Sequence, residues 1–317
     1  MNGVFLDLES IDKGDLQLQG LRTSLEFWKF YPYTESMQVI DAIANAEVVV
    51  ANKIMINADT IAACPGIKLI CIAATGVNNV DLPAAEAKGI AVCNARNYAT
   101  PSVVQHTFAL ILSLITRLPE YQQAVRQGAW QHSRDFCLLD YPIQELAGKV
   151  MGIIGYGVLG HAVAEVARAF EMKVLIAEHK GLPAREGRVG FDEVIKQSDV
   201  ITVHAPLTEA TRNLIGAMEF RMMKSTSLLI NVARGGIVNE TALVNALLNH
   251  DIAGAGIDVL TEEPPKTGNP LLAYTLPNLI VTPHIAWASR ESRQRLIDEV
   301  EKNILAFRQR VPRNLVQ

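Results

Sequence analysis

The sequence predicts an α/β protein with two doubly wound parallel sheets. Short apolar runs alternate with helical patterns along most of the 317 residues, which is the arrangement of strand–helix–strand units. A glycine-rich turn ends one of these runs near residue 155, in the middle of the chain. Because such a turn usually follows the first strand of its own sheet, the residues before it predict a separate domain.

The first series of apolar runs supplies the first predicted sheet. Its strands are expected at Val4–Leu6, Val48–Ala51, Leu69–Ala74 and Ile90–Cys93. Helical patterns such as Glu35–Ala46 and Leu82–Lys88 separate them. Pro101 then begins a long helix with Thr100 as its expected N-cap, and this helix is apolar on nearly every side from Val103 to Leu118. We expect it to be buried on several sides.

The second series of apolar runs begins at Lys149. Its strands are expected at Val150–Ile154, Val174–Ala177, Val200–Val203, Leu228–Val232, Ala255–Val259 and Leu279–Val281. Six strands with crossovers predict a doubly wound sheet. The last helical pattern, Ser289 to Arg308, follows this series and is expected to return to the first domain. We therefore expect one discontinuous domain, residues 1–99 and 290–317, and a second domain, residues 100–289.

Composition and charge exclude several classes of protein. A net charge of -4 leaves no basic face for nucleic acid. Gln105 and His106 interrupt the most apolar stretch, and the N-terminus lacks a basic region, so we expect no membrane span, no signal peptide and a cytoplasmic protein. The four cysteines lack metal-ligand spacing, which predicts no metal and free thiols in a reducing compartment.

The turn in the middle of the chain has the form of a dinucleotide-binding site. It is Gly155-Tyr-Gly-Val-Leu-Gly160, it precedes a helical pattern, and the next apolar run ends at Glu178. Gly155 allows the tight turn, Gly157 lets the backbone approach a pyrophosphate, and Gly160 lets the helix pack close to the strand. Free N–H groups at the helix start suit phosphates, and the carboxylate of Glu178 suits ribose hydroxyls. A glycine turn in an ordinary α/β core is the alternative interpretation.

Three successive strands of the second series end beside residues suited to catalysis. Arg234 follows the fourth strand, Glu262 and Glu263 follow the fifth, and His284 follows the sixth. The carboxyl ends of parallel strands share one edge, where ligands bind in open α/β sheets. Arginine binds a carboxylate or polarises a carbonyl, histidine exchanges a proton, and a glutamate orients the imidazole. Together they predict hydride transfer to a 2-keto acid, although each alone is also typical of a turn, a solvated loop or a packed side chain.

These motifs resemble the D-isomer-specific 2-hydroxyacid dehydrogenase family over essentially the whole chain. The segments that carry the resemblance are Gly155–Gly160, His204-Ala-Pro-Leu-Thr208, Asn231-Val-Ala-Arg-Gly-Gly236, Gly256-Ile-Asp-Val259 with Glu263-Pro264, and Thr282-Pro-His284. The resemblance implies a Rossmann-type cofactor domain, a flavodoxin-like discontinuous substrate domain, and a homodimer built largely on the cofactor domain. It also implies Arg234 as substrate binder, Glu263 as partner of the histidine, and His284 as acid–base.

The resemblance further implies residues that bind substrate and cofactor. Thr75, Gly76 and Val77 match a loop whose backbone amides bind the substrate carboxylate, together with Arg234 and His284. Thr107, on the long helix, matches a position that approaches the nicotinamide. The other positions implied in cofactor binding are Gly155, Gly157, Val158, Leu159, Gly160, Glu178, Ala205, Pro206, Thr211, Val232, Ala233, Arg234, Asp258 and His284. Among them, Asp258 is expected to hold the nicotinamide carboxamide.

Glu178 favours NAD as the cofactor. A carboxylate accepts a hydrogen bond from the ribose 2′-hydroxyl and repels a 2′-phosphate. His179, Lys180, Arg185 and Arg188 follow closely in the sequence. Because such cations tolerate a 2′-phosphate, NADP stays an alternative.

The expected substrate is a small 2-keto or 2-hydroxy acid, with hydroxypyruvate and D-glycerate as the first choice. Ala73-Ala-Thr-Gly-Val-Asn-Asn79 and Ile285-Ala-Trp287 resemble the glycerate dehydrogenase, or hydroxypyruvate reductase, branch of the family. Glyoxylate is expected to be a poorer substrate. Reduction of glyoxylate or another 2-keto acid is one alternative, and a non-enzymatic, NAD-sensing corepressor is another, which the lack of low-complexity sequence disfavours.

Overall fold

The computed structural model describes residues 1–316 and divides the chain into two compact units. Unit 1 comprises residues 1–99 and the segment that starts at Trp287, and unit 2 comprises Thr100–Ala286. The chain re-enters unit 1 at Trp287 rather than at residue 290. The physical reason is packing, because the Trp287 ring lies edge-on to Tyr98, with centroids 6.4 Å apart, against the unit 1 core.

The sheet of unit 1 has five parallel strands. They are β1 Asn2–Phe5, β2 Phe27–Phe30, β3 Val48–Ala51, β4 Leu69–Ile72 and β5 Ala91–Asn94, in the order β2-β1-β3-β4-β5. Four of its α-helices precede unit 2 in the sequence: α1 Gln19–Thr23, α2 Val39–Ile43, α3 Ala58–Ala63 and α4 Leu82–Ala87. The sequence did not predict β2, because this edge strand is only half-buried and Lys29 interrupts its apolar run.

Unit 2 contains a six-stranded parallel sheet. Its strands are β6 Val150–Ile154, β7 Lys173–Ile176, β8 Val200–Val203, β9 Leu228–Asn231, β10 Gly254–Ile257 and β11 Leu279–Val281, in the order β11-β10-β9-β8-β6-β7. Its helices are α5 Thr100–Ile115, α6 Leu118–Arg126, α7 Val158–Ala169, α8 Phe191–Gln197, α9 Ala217–Met222 and α10 Glu240–Leu248. The strand order reverses at β6, which has β7 on one side and β8 on the other, so the first turn of this unit lies at a topological switch point.

The last helix, α11 Arg290–Arg308, belongs to unit 1. Its residues Leu296 and Ile304 join Phe5 and Val50 in one buried cluster. Val49 faces the opposite cluster, since successive strand residues point to opposite sides of a sheet. Both faces of the unit 1 sheet are therefore covered, and the C-terminal helix supplies part of one of them.

The long helix predicted from Pro101 through Leu118 is interrupted, which corrects the prediction. Thr100 is the first residue of α5 rather than its N-cap, and α5 ends at Ile115. Arg117 adopts a left-handed conformation (φ 55), and α6 starts at Leu118 with Pro119 in its first turn. Pro119 has no N–H to donate to the carbonyl of Ile115, so the hydrogen-bond ladder of α5 cannot continue through it. The predicted burial of α5 is confirmed, because nine of its 16 residues are buried.

Three further properties bear on function. No helix within residues 1–316 is both long and apolar enough to cross a bilayer. All four cysteines are free thiols, and Cys64, Cys71 and Cys93 are buried. The described residues contain no group of three His, Cys, Asp or Glu side chains arranged to hold a metal ion.

Candidate active site

The Gly155–Gly160 turn joins β6 to α7 and leaves the start of the helix open. Gly155 has φ +91, and a Cβ there would lie 2.6 Å from the backbone nitrogen of Ala205. A Cβ at Gly160 would collide with the carbonyl oxygen of Gly155. A Cβ at Gly157 would meet nothing within 4 Å. Two glycines are therefore required by the fold, whereas Gly157 faces free space.

The first amides of α7 are available to an anion. The first helical hydrogen bond runs from the His161 amide to the Gly157 carbonyl at 2.9 Å, so the N–H groups of residues 158–160 have no acceptor within the helix. Such groups and the helix dipole attract phosphate. The open face at Gly157 gives a pyrophosphate access to them, so the residues present fit a dinucleotide.

Glu178 lies directly beyond β7 and is held by a guanidinium. Its side chain is 1% exposed and accepts hydrogen bonds from Nε and Nη2 of Arg185 at 2.6 and 2.7 Å. The backbone amide of His179 donates to the same carboxylate at 2.8 Å. The Arg185 guanidinium, followed by the His179 amide, lowers the pKa of Glu178 to about 2. The carboxylate is therefore ionised at neutral pH.

The other cations near Glu178 have different partners. Lys180 donates from Nζ to Glu219 at 2.7 Å, and Nη1 of Arg188 donates to the Ala177 carbonyl at 3.1 Å. Arg185 is thus the cation placed on the carboxylate that the sequence predicts to bind the ribose. Its own side chain is 63% exposed.

The structure brings Glu263 and His284 together at the edge formed by β10 and β11. Nδ1 of His284 lies 2.6 Å from Oε2 of Glu263, while Oε1 of Glu263 accepts the Leu260 amide at 2.8 Å. Glu262 instead accepts a hydrogen bond from the Thr267 hydroxyl at 2.7 Å. A carboxylate on Nδ1 selects the tautomer that carries the proton there, which leaves Nε2 for proton exchange.

Arg234 lies in the adjacent loop, which follows β9. This side chain is exposed, and its Nη1 donates to the Ala233 carbonyl at 2.7 Å. A Cβ at Gly235 would collide with the carbonyl carbon and oxygen of Leu260, so the loop that carries Arg234 touches the loop that leads to Glu263. The exposed guanidinium is therefore free to turn toward a substrate anion near that edge.

Asp258 fixes the loop that carries His284. Its buried carboxylate accepts hydrogen bonds from the Thr282 hydroxyl at 2.5 Å and from the Ile285 and Ala286 amides at 2.9 Å. Its carbonyl accepts the His284 amide at 2.8 Å, and His284 has φ 55. Burial raises the pKa of Asp258, but its contact with His106, followed by the hydrogen bonds from Thr282, Ala286 and Ile285, outweighs burial and holds the pKa below its usual value. The left-handed backbone at the histidine is thus held by a charged hydrogen-bond network.

A family model covers the part of the chain that contains this geometry. The model for the D-isomer specific 2-hydroxyacid dehydrogenase NAD binding domain matches residues 108–286, more than half of the chain. This chain belongs to the D-isomer-specific 2-hydroxyacid dehydrogenase family. It is an NAD-dependent oxidoreductase of 2-hydroxy acids, as the sequence predicted.

Relatives with assigned activities match this dehydrogenase over most of its length. It is 44% identical to a glycerate dehydrogenase of Methylorubrum extorquens, across 99% of this chain and 98% of the relative. It is 39% identical to a hydroxypyruvate reductase of Blautia hydrogenotrophica, across 100% and 99%. It is 36% identical to a glyoxylate reductase of Aeropyrum pernix, across 82% and 79%.

Solved structures share the fold of this dehydrogenase over the full length of both chains. The TT0316 protein of Thermus thermophilus has a TM-score of 0.87 and 32% identity, with 100% coverage of each chain. An acyclic imino acid reductase in complex with NADPH and D-Arg has a TM-score of 0.85 and 26% identity, again with 100% coverage. A Lactobacillus jensenii D-lactate dehydrogenase with NAD+ has a TM-score of 0.81, 26% identity and the same coverage. The predicted α/β fold with two parallel sheets is thereby confirmed.

Several residues implied in cofactor binding already have hydrogen-bond partners in this dehydrogenase. Thr107 is buried on α5 and donates to the Val103 carbonyl at 2.8 Å. Thr211 donates to the Pro206 carbonyl at 2.7 Å, which closes the turn after β8. Val232 and Ala233 are buried beyond β9, and Val158 is exposed at the helix start, beside half-buried Leu159 and buried Gly160. Their roles in binding stay predictions.

The predicted substrate loop of unit 1, Thr75–Gly76–Val77, lies beyond β4. The Thr75 hydroxyl donates to the Ala95 carbonyl at 3.1 Å, and its carbonyl accepts the Asn94 side chain at 2.7 Å. Asn79 donates to the Ile54 carbonyl at 2.9 Å, which ties the end of this loop to the one that follows β3. The loop is therefore held from two neighbouring strands.

Sequence reasoning missed two contributors to the site. His106 Nε2 lies 3.0 Å from the Thr282 hydroxyl and 3.4 Å from Oδ1 of Asp258. The signal for His106 was its place as a polar residue inside an apolar helix. The signal for Thr282 was its place in the Thr-Pro-His segment, where only the histidine was assigned a role. Neither signal predicts that the His106 and Thr282 side chains both contact the Asp258 carboxylate.

Unit 2 also contains a cavity of about 500 Å³ that holds none of the predicted residues. Asn213, Arg221, Asn245 and Asp251 are among the side chains that line it, beside α9 and α10. The candidate site is therefore defined by its chemistry at the strand ends and not by this cavity.

Proposed function

We propose that this dehydrogenase catalyses the reversible reduction of hydroxypyruvate to D-glycerate with NADH. The pairing of His284 with Glu263 at 2.6 Å, beside the loop of Arg234, is the observation that carries the proposal. The resemblance of residues 73–79 and 285–287 to the glycerate dehydrogenase branch supports the choice of substrate. The names of the two relatives at 44% and 39% identity support it as well.

His284 is the proposed acid–base group. In the reducing direction it donates the Nε2 proton to the oxygen of the keto group, and it takes that proton back when D-glycerate is oxidised. Glu263 orients the ring from Nδ1 and stabilises the imidazolium. Bound NADH supplies the hydride, so hydroxypyruvate, NADH and one proton give D-glycerate and NAD+.

Arg234 is the proposed binder of the substrate carboxylate and polariser of its carbonyl. Its planar and permanently charged guanidinium forms paired hydrogen bonds with carboxylates, and in this structure it donates to a neutral backbone carbonyl, that of Ala233. The amides of Thr75, Gly76 and Val77 are proposed to bind the substrate carboxylate, as the family resemblance implies.

The proposed NAD site is built on the open end of α7. The amides of Val158, Leu159 and Gly160 bind the pyrophosphate, and Glu178 binds the adenosine ribose. Ala205, Pro206 and Thr211 lie on the adenine side. The positions proposed on the nicotinamide side are Thr107, Val232, Ala233, Arg234, Asp258 and His284.

Steady-state kinetics on four keto acids test the substrate. We expect the highest kcat/KM with hydroxypyruvate, a lower value with glyoxylate, and much lower values with pyruvate and phosphohydroxypyruvate. A higher kcat/KM with pyruvate would overturn the substrate while leaving the reaction class intact. A higher value with glyoxylate would favour the glyoxylate reductase alternative.

We also propose a homodimer built on unit 2. The segment between α6 and β6 exposes apolar side chains, among them Phe136 (90% exposed), Leu139 (82%) and Trp130 (54%). Several exposed apolar side chains in one short segment of the sequence are typical of a protein interface. Light scattering should give twice the 34.7 kDa chain mass. Phe136→Asp with Leu139→Asp should halve that mass, whereas Met37→Asp, which changes an exposed methionine of unit 1, should not; a wild-type monomer contradicts the proposal.

A reducing, cytoplasmic location is the last part of the proposal. The four free cysteines, three of them buried, support it because oxidising compartments favour disulfides. Fractionation of the native host, with this chain followed by antibody, tests the location.

A further inference from the structure

A cavity of about 300 Å³ lies in unit 1, between the end of β5 and α11. We call it the cationic pocket and define it by Arg96, Arg295, Lys302, Arg313, Asp298 and Glu299, which line it. Four cations against two carboxylates leave an excess of two positive charges. None of these residues belongs to the predicted active site, so the pocket needs its own explanation.

The carboxylates of the cationic pocket neutralise only part of its positive charge. Glu299 accepts hydrogen bonds from Lys302 at 3.1 Å and from Nη2 of Arg313 at 2.8 Å. Asp298 accepts one from the Gln294 amide at 2.9 Å. Arg96 donates from Nη2 to the Leu315 carbonyl at 3.0 Å, a neutral partner. The surplus positive charge therefore stays with the arginines.

Two guanidinium nitrogens of the cationic pocket are buried without an acceptor. Nη2 of Arg295 and Nη1 of Arg313 have no hydrogen-bond partner within residues 1–316. The rest of each guanidinium is anchored, since Nε of Arg295 donates to the Tyr98 carbonyl at 2.7 Å and Nη2 of Arg313 donates to Glu299. A buried N–H of a charged group without an acceptor is costly, so two of them on side chains that line one cavity point to an anion.

The chemistry of the donors and the size of the cavity select the ligand class. Guanidinium groups suit tetrahedral and planar oxyanions, and a surplus of two positive charges matches a phosphate dianion. The volume is at the lower end for small-molecule sites and about ten times the volume of one water. We propose that the cationic pocket binds a phosphate group, carried by a small phosphate monoester or as inorganic phosphate.

The position of the pocket gives the ligand a structural consequence. Arg295 reaches the Tyr98 carbonyl, and the Tyr98 ring packs on Trp287. Residue 98 precedes the point where the chain leaves unit 1, and residue 287 is where it returns. A bound phosphate fixes Arg295 and with it the contact between these two segments, so occupancy should raise the melting temperature of the protein.

Isothermal titration of the full chain tests the site, with inorganic phosphate and glycerol 2-phosphate as probes. The titrations are run at constant ionic strength with saturating NADH, so that the helix start in unit 2 does not compete for phosphate. We expect one saturable site per chain. Arg295→Lys and Arg313→Gln should each weaken it by about tenfold or more, as expected for loss of a hydrogen bond to a charged group.

A matched pair of lysine variants keeps the test decisive if an arginine variant folds poorly. Lys302→Gln removes one positive charge from the pocket and should weaken binding by severalfold. Lys88→Gln removes an exposed lysine elsewhere in unit 1 and should leave binding unchanged. Tighter binding of glycerol 2-phosphate identifies a monoester as the ligand, whereas equal binding identifies the inorganic ion. Lack of saturable binding, or equal binding by the Lys302 and Lys88 variants, would overturn the proposal whatever the outcome for hydroxypyruvate.

Discussion

Arg185 donates hydrogen bonds to both carboxylate oxygens of Glu178, from Nε at 2.6 Å and from Nη2 at 2.7 Å. The acid that the sequence predicts to bind the ribose is therefore buried under an exposed guanidinium. This ion pair offsets the negative charge that would repel a 2′-phosphate. It also places a guanidinium, a group that binds phosphate well, beside the carboxylate that is expected to bind the ribose.

Arg185 should control the choice between NADH and NADPH. Arg185→Gln removes the guanidinium that offsets the negative charge of Glu178, so the carboxylate should repel a 2′-phosphate. We therefore expect the Kd for NADPH to rise by roughly tenfold or more, while the Kd for NADH changes little or falls. Fluorescence titration of the reduced nucleotides measures both constants directly. Arg188→Gln is the matched control, because Arg188 donates to a carbonyl and not to Glu178. Equal changes in both Kd values would remove Arg185 from cofactor selection.

His284→Ala should lower turnover by about 10² to 10⁴, the usual cost of a lost acid–base group. The Kd for NADH should stay close to that of the wild type, because the contacts proposed for the pyrophosphate and the adenosine ribose, at α7 and Glu178, do not involve this histidine. Single-turnover kinetics with hydroxypyruvate and a fluorescence titration check the two parts. Turnover close to wild type would assign the proton transfer to another group.

A pair of glutamate variants tests whether Glu263, and not the adjacent Glu262, is the partner of His284. Glu263→Gln removes the carboxylate that lies 2.6 Å from His284 and should lower kcat, whereas Glu262→Gln affects a side chain bonded to Thr267 and should not. Steady-state kinetics of the two variants measure the difference. The reverse pattern would contradict the pairing seen in the structure.

Gly157→Ala should separate cofactor binding from folding. A Cβ at this position meets no atom within 4 Å, so the melting temperature should change by a few degrees at most. The same methyl group would occupy the approach to the α7 amides, so the Kd for NADH should rise severalfold. Gly155→Ala provides the contrast, since its Cβ would clash with residues 204 and 205 and should lower the melting temperature strongly. Unchanged NADH binding in Gly157→Ala would place the pyrophosphate elsewhere.

Stability should fall in acid as Glu178 is protonated. Arg185 lowers the pKa of Glu178 from 4.5 to about 2 in the folded state, so the ion pair stabilises the fold above the unfolded pKa. That contribution is complete at neutral pH and is lost as the pH falls from about 4.5 toward about 2. Thermal melts of the wild type and Glu178→Gln should therefore differ most near pH 7 and converge only as the pH approaches about 2. A constant difference across this range would show that the ion pair contributes nothing.

Local patterns in the sequence determined most of the fold and the chemistry. The strands of unit 2 follow from their aliphatic runs, because both faces of a parallel sheet are buried. The glycines at 155, 157 and 160 follow from the turn they must form, and the positions of Arg234, Glu263 and His284 follow from the strands they end. Each of these inferences needs only neighbours in sequence.

Local patterns failed where a distant or neighbouring segment decided the outcome. The β2 strand was missed because an edge position tolerates a charged and half-exposed run. The long helix was overextended because its apolar run passes through Pro119, whose backbone requirement outweighs hydrophobicity.

Tertiary structure alone decided the partners of the charged groups. The sequence places Arg185, Lys180 and Arg188 all close to Glu178, yet only the folded chain puts Arg185 on its carboxylate. The folded chain likewise places the Asp258 carboxylate on the backbone amide of Ile285, in the loop of His284. It also brings Arg295 and Arg313 to one cavity. The reason is physical, since backbone periodicity and turn chemistry are local, whereas a side-chain pair depends on how segments far apart in sequence meet in the core.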